Sequence, residues 1–198
     1  MKKIIMSVLF LFVNLQSQDI KSLSISTELP LGDVKMVSVD GKELSMNALK
    51  KENGLLVMFS CNTCPWVIKN QTRIIEISGY AAKNNLGVVI INSNESQRDD
   101  VDSFDEMKKY SKSQKYKWPY VIDKDSKVAN AFGATKTPEI FLFNSDGILV
   151  YKGAIDDNPG DVENVKREHL KEAIKETVKG KGVSVKESRS MGCSIKRS

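Results

Sequence analysis

Leu55-Leu56-Val57-Met58-Phe59-Ser60-Cys61-Asn62-Thr63-Cys64-Pro65 is the stretch on which the reading of this chain turns. It opens as a short continuous apolar run, the pattern of a central strand covered on both faces. It closes on two thiols two residues apart. The proline after them suits the first turn of a helix, where a missing N–H costs nothing. Helical spacing follows, with Val67, Ile74, Ile75, Ser78, Ala81 and Ala82 on one face. A second apolar run, Leu86 to Ile91, reads as the next central strand. One helix of about 20 residues between such strands makes a βαβ unit with parallel strands and a right-handed crossover.

The dithiol therefore falls at a strand-to-helix junction. Unpaired N–H groups and partial positive charge at a helix start favour a thiolate over a thiol. They bring a cysteine pKa from about 8.5 into roughly the 3.5–7.5 range. Cys61 is expected to be exposed, thiolate-prone and the attacker of a substrate disulfide. Cys64, one turn inward, is expected to resolve the mixed disulfide. Asn62 and Thr63 are expected to hydrogen-bond the sulfurs and tune the pair. Two metal readings compete. A zinc site needs two further ligands, for which the chain offers its single histidine, His169, and a distant cysteine, Cys193. A soft ion such as Cu(I) needs only thiolates. No second Cys-x-x-Cys exists, so the spacing and placement favour redox work, with no cofactor and no metal.

Outward on the N-terminal side, Val34 to Val39 reads as a strand, Asp40-Gly41 as a hairpin turn and Glu43-Leu44 as the return. Ser45 caps a short helix through Lys51, ended by Gly54. Residues 18–30 read as a short exposed lead-in. On the C-terminal side, residues 92–103 are polar and acidic and read as a loop. Phe104, Met107 and Ser111 suggest a short helix, Trp118 to Ile122 an extended segment, and Ser126 to Phe132 a helix capped by Gly133. Ile140–Phe143 and Ile148–Tyr151 read as strands joined by Asn144-Ser145-Asp146-Gly147. A last amphipathic helix is expected from about Val162 to Val178, ended by Gly180, with His169 at the edge of its apolar stripe. Residues 181–198 are rich in Gly, Ser and Lys and are expected to be poorly packed for most of their length. The order strand, helix, strand, helices, hairpin, helix describes an α/β fold with a central mixed sheet flanked by helices.

The two ends carry separate signals. Lys2 and Lys3 precede the apolar Ile4–Val13, a basic region and an apolar region of signal-peptide length, too short to span a bilayer. Residues 1–17 are therefore expected to be a signal peptide, and the protein extracytoplasmic, periplasmic or secreted. No cysteine follows that run as a lipid anchor, and no later segment is apolar enough to span, so no membrane association is expected after cleavage. The chain has 198 residues and 40% apolar content, enough for one domain with its own core, placed at residues 28–180. The net charge of +5 falls to +3 without Lys2 and Lys3. Basic and acidic residues alternate, which describes a solvated surface rather than a nucleic-acid site. Three cysteines, one close pair and one near the C-terminus, fit redox work better than structural stapling.

Set together, these segments resemble the thioredoxin superfamily, and more specifically its peroxiredoxin-like branch (redoxins, of the alkyl hydroperoxide reductase/thiol-specific antioxidant type). The resemblance covers about residues 28–198. It is carried by Phe59 to Pro65, Ile91-Asn92-Ser93-Asn94, Asp102-Ser103-Phe104 with Met107-Lys108, Thr137-Pro138, Gly153 with Ile155 to Pro159, and Gly192 to Lys196. It implies a thioredoxin-like fold with an N-terminal β-hairpin and an extended C-terminal tail. It also implies that Thr137-Pro138 is a cis-proline loop facing the dithiol, whose Thr137 backbone pairs with a substrate chain. Trp66 either lines that substrate groove or packs. Cys193 is either a tail thiol without a role or a third redox cysteine. Asp156-Asp157-Asn158-Pro159 reads as a solvated loop rather than a metal site.

Two departures narrow the activity. The peroxide-binding pattern Pro-x-x-x-Thr-x-x-Cys finds Val57 and Cys61 when set on Cys64, and Gly54 and Met58 when set on Cys61. Neither register supplies the pocket. Many thioredoxins carry a buried carboxylate six residues before the first cysteine, where this chain has Leu55. The expected function is thiol–disulfide exchange with protein or small-molecule disulfides and dithiols, served by a recycling redox partner. A peroxiredoxin-like thiol peroxidase with an antioxidant role is the alternative, and a soft-metal module a weaker one.

Overall fold

The computed structural model describes residues 20–198. The signal-peptide expectation falls outside these residues. The chain opens with a small hairpin, β1 (Met36–Val37) and β2 (Glu43–Leu44), turned at Gly41 with φ +84°. A short helix follows, α1 (Met46–Leu49), capped by the Ser45 hydroxyl, which accepts from the Ala48 amide at 3.3 Å. Then come β3 (Leu55–Ser60), α2 (Pro65–Lys69), α3 (Gln71–Lys83) and β4 (Gly87–Asn92). The second half holds α4 (Phe104–Ser113), β5 (Tyr120–Ile122), α5 (Lys127–Phe132), β6 (Lys136–Thr137), β7 (Glu139–Phe143), β8 (Leu149–Gly153), α6 (His169–Val178) and β9 (Cys193–Ser194).

The main sheet runs β5-β4-β3-β7-β8. β3, β4 and β5 are parallel, and β7 and β8 add on antiparallel. β3 is central and every residue in it is buried. Its alternate side chains enter two different cores: Leu56 and Met58 join Ile74, Ile90, Leu142 and Ile174 on one face, and Leu55, Val57 and Phe59 join Phe132, Phe141 and Phe143 on the other. Two covered faces explain why the strand reads as an uninterrupted apolar run rather than an alternating one. Among the described residues no helix is long and apolar enough to cross a membrane.

Four sequence expectations change. The single helix after the dithiol is two, broken at Asn70 (φ −97°, ψ 5°). The Asn70 side chain donates to Trp66 O at 2.8 Å and Pro159 O at 3.2 Å, so it competes with the backbone for its own helix. The buried face also takes Ile77 in place of Ile75. The last helix begins only at His169. Residues 162–164 form one 3₁₀ turn capped by Asp161, Val165 is extended, and Asp157 Oδ1 takes the Lys166 amide at 3.0 Å. His169 is therefore a first-turn residue. The N-terminal lead-in lies along the fold: Leu23 N donates to Phe132 O, Ser26 N to Leu149 O and Leu29 N to Gly147 O, with Leu23, Ile25 and Leu29 against the second core.

The fourth change concerns the tail, which is docked. Its Ser188 amide donates to Lys152 O at 3.0 Å, Val183 and Ile195 are buried, and β9 pairs antiparallel with β6. Polar composition hid this because the tail is held mostly by its backbone.

Candidate active site

β3 ends at Ser60 and α2 begins at Pro65, so the residues between them form a loop at the carboxyl edge of the parallel strands. Cys64 is the N-cap residue of α2. Cys61 and Cys64 are 2% and 4% exposed. Both sulfurs converge on Thr137: Cys61 Sγ lies 3.4 Å from Thr137 Oγ1, and Cys64 Sγ 3.2 Å from Thr137 O. The Thr137–Pro138 peptide is cis. Cys64 is disulfide-bonded to Cys193, and Cys61 is the free thiol. In that oxidised form Cys64 has no proton to donate, so its approach to Thr137 O is a contact. Once reduced, the same geometry gives an S–H donor facing a carbonyl acceptor.

The third sulfur arrives by strand pairing. Cys193 lies opposite Thr137, and Ser194 opposite Lys136. Gly192 has to be glycine, because a Cβ there would collide with the carbonyl oxygen of Thr137. The backbone of Thr137, expected to receive a substrate chain, is thus occupied by the protein's own tail.

Cys61 differs from its expected state. It is buried instead of exposed, and burial pushes its thiol above the usual range. The Thr137 hydroxyl pulls the other way, the negative charge of Asp102 adds to the rise, and the backbone amides of Cys64 and Thr63 oppose it. A helix start lowers a cysteine pKa only for a sulfur that keeps contact with water or charge. Here desolvation is the larger influence.

Below the loop lies a buried polar network. The Asn62 amide donates to Asp102 Oδ1 at 2.9 Å, and its side chain donates to Val101 O at 2.8 Å while accepting from Tyr120 OH at 2.9 Å. The Asn62 side chain therefore faces this network and not the sulfurs, against expectation; Thr63 is exposed. Asp102 is fully buried and also accepts from Asn92 Nδ2 and Asn94 Nδ2, each at 2.8 Å. Asn94 Oδ1 in turn accepts the amide of Lys196 in the tail at 2.8 Å. Arg98 closes the network through Asp102 O at 2.7 Å and Asn92 O at 3.0 Å.

Asp102 and Asn94 read as loop in the sequence and entered only as segments of the family resemblance, with no role assigned. One signal was available, since Asn92-Ser93-Asn94 directly follows an all-apolar strand. Leu55, at the expected carboxylate position, is buried apolar core. Asp102 is a buried carboxylate bonded to the loop amide beside Cys61.

Other candidates divide. Trp66 is half-buried against the core cluster that includes Cys61 and Cys64, with Tyr110, Tyr116 and Trp118 packed on the same cluster. Burial raises the Tyr116 pKa to about 12, and its hydroxyl accepts from Gln71 Nε2 at 3.1 Å. Asp156 is no solvated loop residue: it is buried and paired with Arg73 at 2.6 Å. In the oxidised form one of the two loop thiols that a soft metal would use is joined to Cys193. Among the described residues no group of three or more His, Cys, Asp or Glu is placed to hold an ion.

The Redoxin family model matches residues 24–168. Two solved structures resemble the chain over most of its length. One is an uncharacterized conserved protein of Geobacillus kaustophilus, 30% identical over 88% of this chain and 93% of that one, with a TM-score of 0.82. The other is a hypothetical protein of Sinorhizobium meliloti 1021, 31% identical over 90% and 97%, with a TM-score of 0.81. The thioredoxin domain of a thiol-disulfide oxidoreductase from Bacteroides vulgatus shares the fold at 20% identity over 67% and 90%, with a TM-score of 0.56. No curated protein matches the chain.

Proposed function

The chain belongs to the Redoxin family of the thioredoxin superfamily, and from that premise we propose that it is a thiol–disulfide oxidoreductase whose dithiol is Cys61-x-x-Cys64. Thiol redox chemistry is what the family and fold support. The finer reading rests on one observation: Cys64 and Cys193 are joined while Cys61 stands free beside them, with both loop sulfurs against Thr137. Three sulfurs at one residue allow exchange inside the protein. The Cys61 thiolate attacks Cys64 Sγ, the Cys61–Cys64 bond forms, and Cys193 leaves as the thiolate and takes up a proton. The shift is redox-neutral and moves the disulfide onto the loop pair. Its partners are protein or small-molecule disulfides and dithiols, with a recycling thiol or disulfide.

Exchange is favoured over peroxide reduction by the surroundings of Cys61. A peroxidatic thiol needs access to peroxide and a pocket for it, whereas Cys61 is buried and neither register of Pro-x-x-x-Thr-x-x-Cys is filled; attack on the neighbouring Cys64 sulfur needs no opening to solvent. The basic and apolar N-terminal residues support an extracytoplasmic site of action, where a disulfide persists.

Insulin-disulfide reduction driven by dithiothreitol tests the proposal. Wild type is expected to accelerate precipitation, and Cys64→Ser to fall to the dithiothreitol background. Equal rates overturn it. So does rapid hydrogen peroxide consumption with a sulfenic acid trapped on one cysteine and no activity on insulin.

A further inference from the structure

We propose that Cys193 is the sulfur through which this site exchanges with a partner, so that the tail strand β9 is part of the reactive centre and supplies its outward-facing cysteine. The proposal rests on the thiol–disulfide exchange reading above and reassigns the first step of it.

Access comes first. Cys61 and Cys64 are closed off, while Cys193 is half-buried and flanked by the exposed Met191 and Ser194. A thiolate breaking the Cys64–Cys193 bond must reach one of its two sulfurs, and exchange rate depends on which is accessible. Of the two residues, Cys193 is the one that keeps surface open to solvent.

Placement comes second, and it does not depend on the disulfide. Downstream of Cys193, Ile195 N donates to Thr135 O at 3.0 Å, Lys196 N to Asn94 Oδ1 at 2.8 Å, Ser96 N to Lys196 O at 3.0 Å and Arg197 Nε to Asn130 Oδ1 at 2.8 Å. Ile195 is buried in the second core. Upstream, Ala154 N donates to Ser188 Oγ at 2.9 Å. Held on both sides, a reduced Cys193 stays opposite Thr137 and next to Cys64. It is an intramolecular thiol fixed in register rather than a loose tail thiol, and such fixing raises effective concentration.

The steps balance. A partner thiolate attacks Cys193 Sγ. The Cys64–Cys193 bond breaks, a partner–Cys193 disulfide forms, and Cys64 leaves as thiolate and takes up the proton the partner lost. A second partner thiol, as thiolate, attacks the partner's own sulfur in that mixed disulfide. The partner disulfide closes, and Cys193 leaves as thiolate and takes up the proton lost by that second thiol. The partner dithiol has lost two electrons, and Cys64 and Cys193 have gained them. Run backwards, the Cys193 thiolate opens a partner disulfide and Cys64 resolves it. Partners suited to this geometry carry their thiols on small or flexible groups.

The test follows exchange between the full reduced chain and oxidised glutathione by tryptophan fluorescence. Cys193→Ser is expected to slow exchange at least tenfold, although Cys61 and Cys64 remain. Gly192→Ala keeps every thiol but pushes the strand off Thr137, and is expected to slow exchange similarly with native far-UV circular dichroism. Exchange by Cys193→Ser at the wild-type rate or faster overturns the proposal and leaves the exchange reading intact. Absence of exchange in wild type overturns both. If either variant fails to fold, a brief iodoacetamide pulse on reduced wild type decides. Mass spectrometry is expected to find Cys193 labelled at least tenfold ahead of Cys61, and Cys61 labelled first overturns the proposal.

Discussion

Two polar stretches of similar composition have opposite fates. Residues 92–102 start on the last residue of β4 and residues 156–168 follow β8, and both are rich in Asn and Asp. In the second, the side chains mostly serve their own neighbours. Asn158 caps Asp161 at 3.1 Å, Asp161 caps Glu163 at 3.1 Å, and residues 161–164 are exposed. In the first, the partners are far away in sequence. Asp102 holds the amide of Asn62 and Asn94 holds that of Lys196, and all of Asn92, Ser93, Asn94 and Asp102 are buried. Local hydrogen bonds make a turn, whereas distant ones let a polar segment carry load in the interior. The first stretch therefore supports the loop between β3 and α2, and the second connects elements around Asp156, with the Asn158 and Pro159 carbonyls held from Asn70 and Arg73.

The contrast breaks most sharply at Asp102. Asp102→Ala strands three buried donors, on Asn62, Asn92 and Asn94. Leaving such groups unpaired costs about 1–3 kcal/mol each, so a loss of about 3–5 kcal/mol is expected after partial relaxation. Urea unfolding of the oxidised protein reads it, and an unchanged midpoint would show that the network is not structural.

Asp102→Asn asks a finer question. It keeps the shape and removes the negative charge that helps hold the Cys61 thiol up. The pH profile of Cys61 alkylation in the oxidised protein is expected to move to lower pH, because the thiolate is no longer opposed by that charge. The sign for stability follows from the raised folded value. Burial of the neutral thiol contributes fully below the ordinary thiol range near 8.5 and fades as pH rises through the folded value. The loss begins in the ordinary thiol range in both proteins, and in the variant it ends at lower pH, so the variant loses less of that contribution. A profile that stays in place would remove Asp102 as an influence on Cys61.

Asp161→Ala is the smallest perturbation. Its carboxylate caps one exposed 3₁₀ turn, and the urea midpoint is expected to stay within error of wild type. A clear drop would show that the second stretch is less local than it looks.

The same contrast explains what could be read from sequence. The βαβ frame was legible because strands covered on both faces must be apolar throughout, and Leu55–Phe59 and Leu86–Ile91 are. The dithiol was legible from its spacing and its place between strand and helix, and Thr137-Pro138 only through the family resemblance. Asn92, Asn94 and Asp102 counted towards the family resemblance, but their role was not legible, because an Asn bonded to residue 196 looks the same in sequence as one bonded to its neighbour. The tail was misread for the same reason. Backbone pairing with Lys136–Thr137 leaves little mark on side-chain composition, and only Gly192 and Ile195 record it. The break at Asn70 depends on Pro159 O, 89 residues away, which helical periodicity cannot register.

The disulfide between Cys64 and Cys193 spans 129 residues of sequence, and this makes it a constraint on the unfolded chain as well as a store of oxidising equivalents. In the chain-entropy account, closing a loop of that length stabilises the native state by about 5 kcal/mol, against about 2 kcal/mol for a loop as short as Cys61–Cys64. Moving the bond from the tail to the loop pair changes no oxidation state, yet it exchanges a tie across most of the domain for a local one. The protein's resistance to unfolding therefore reports which pair of its three sulfurs is joined.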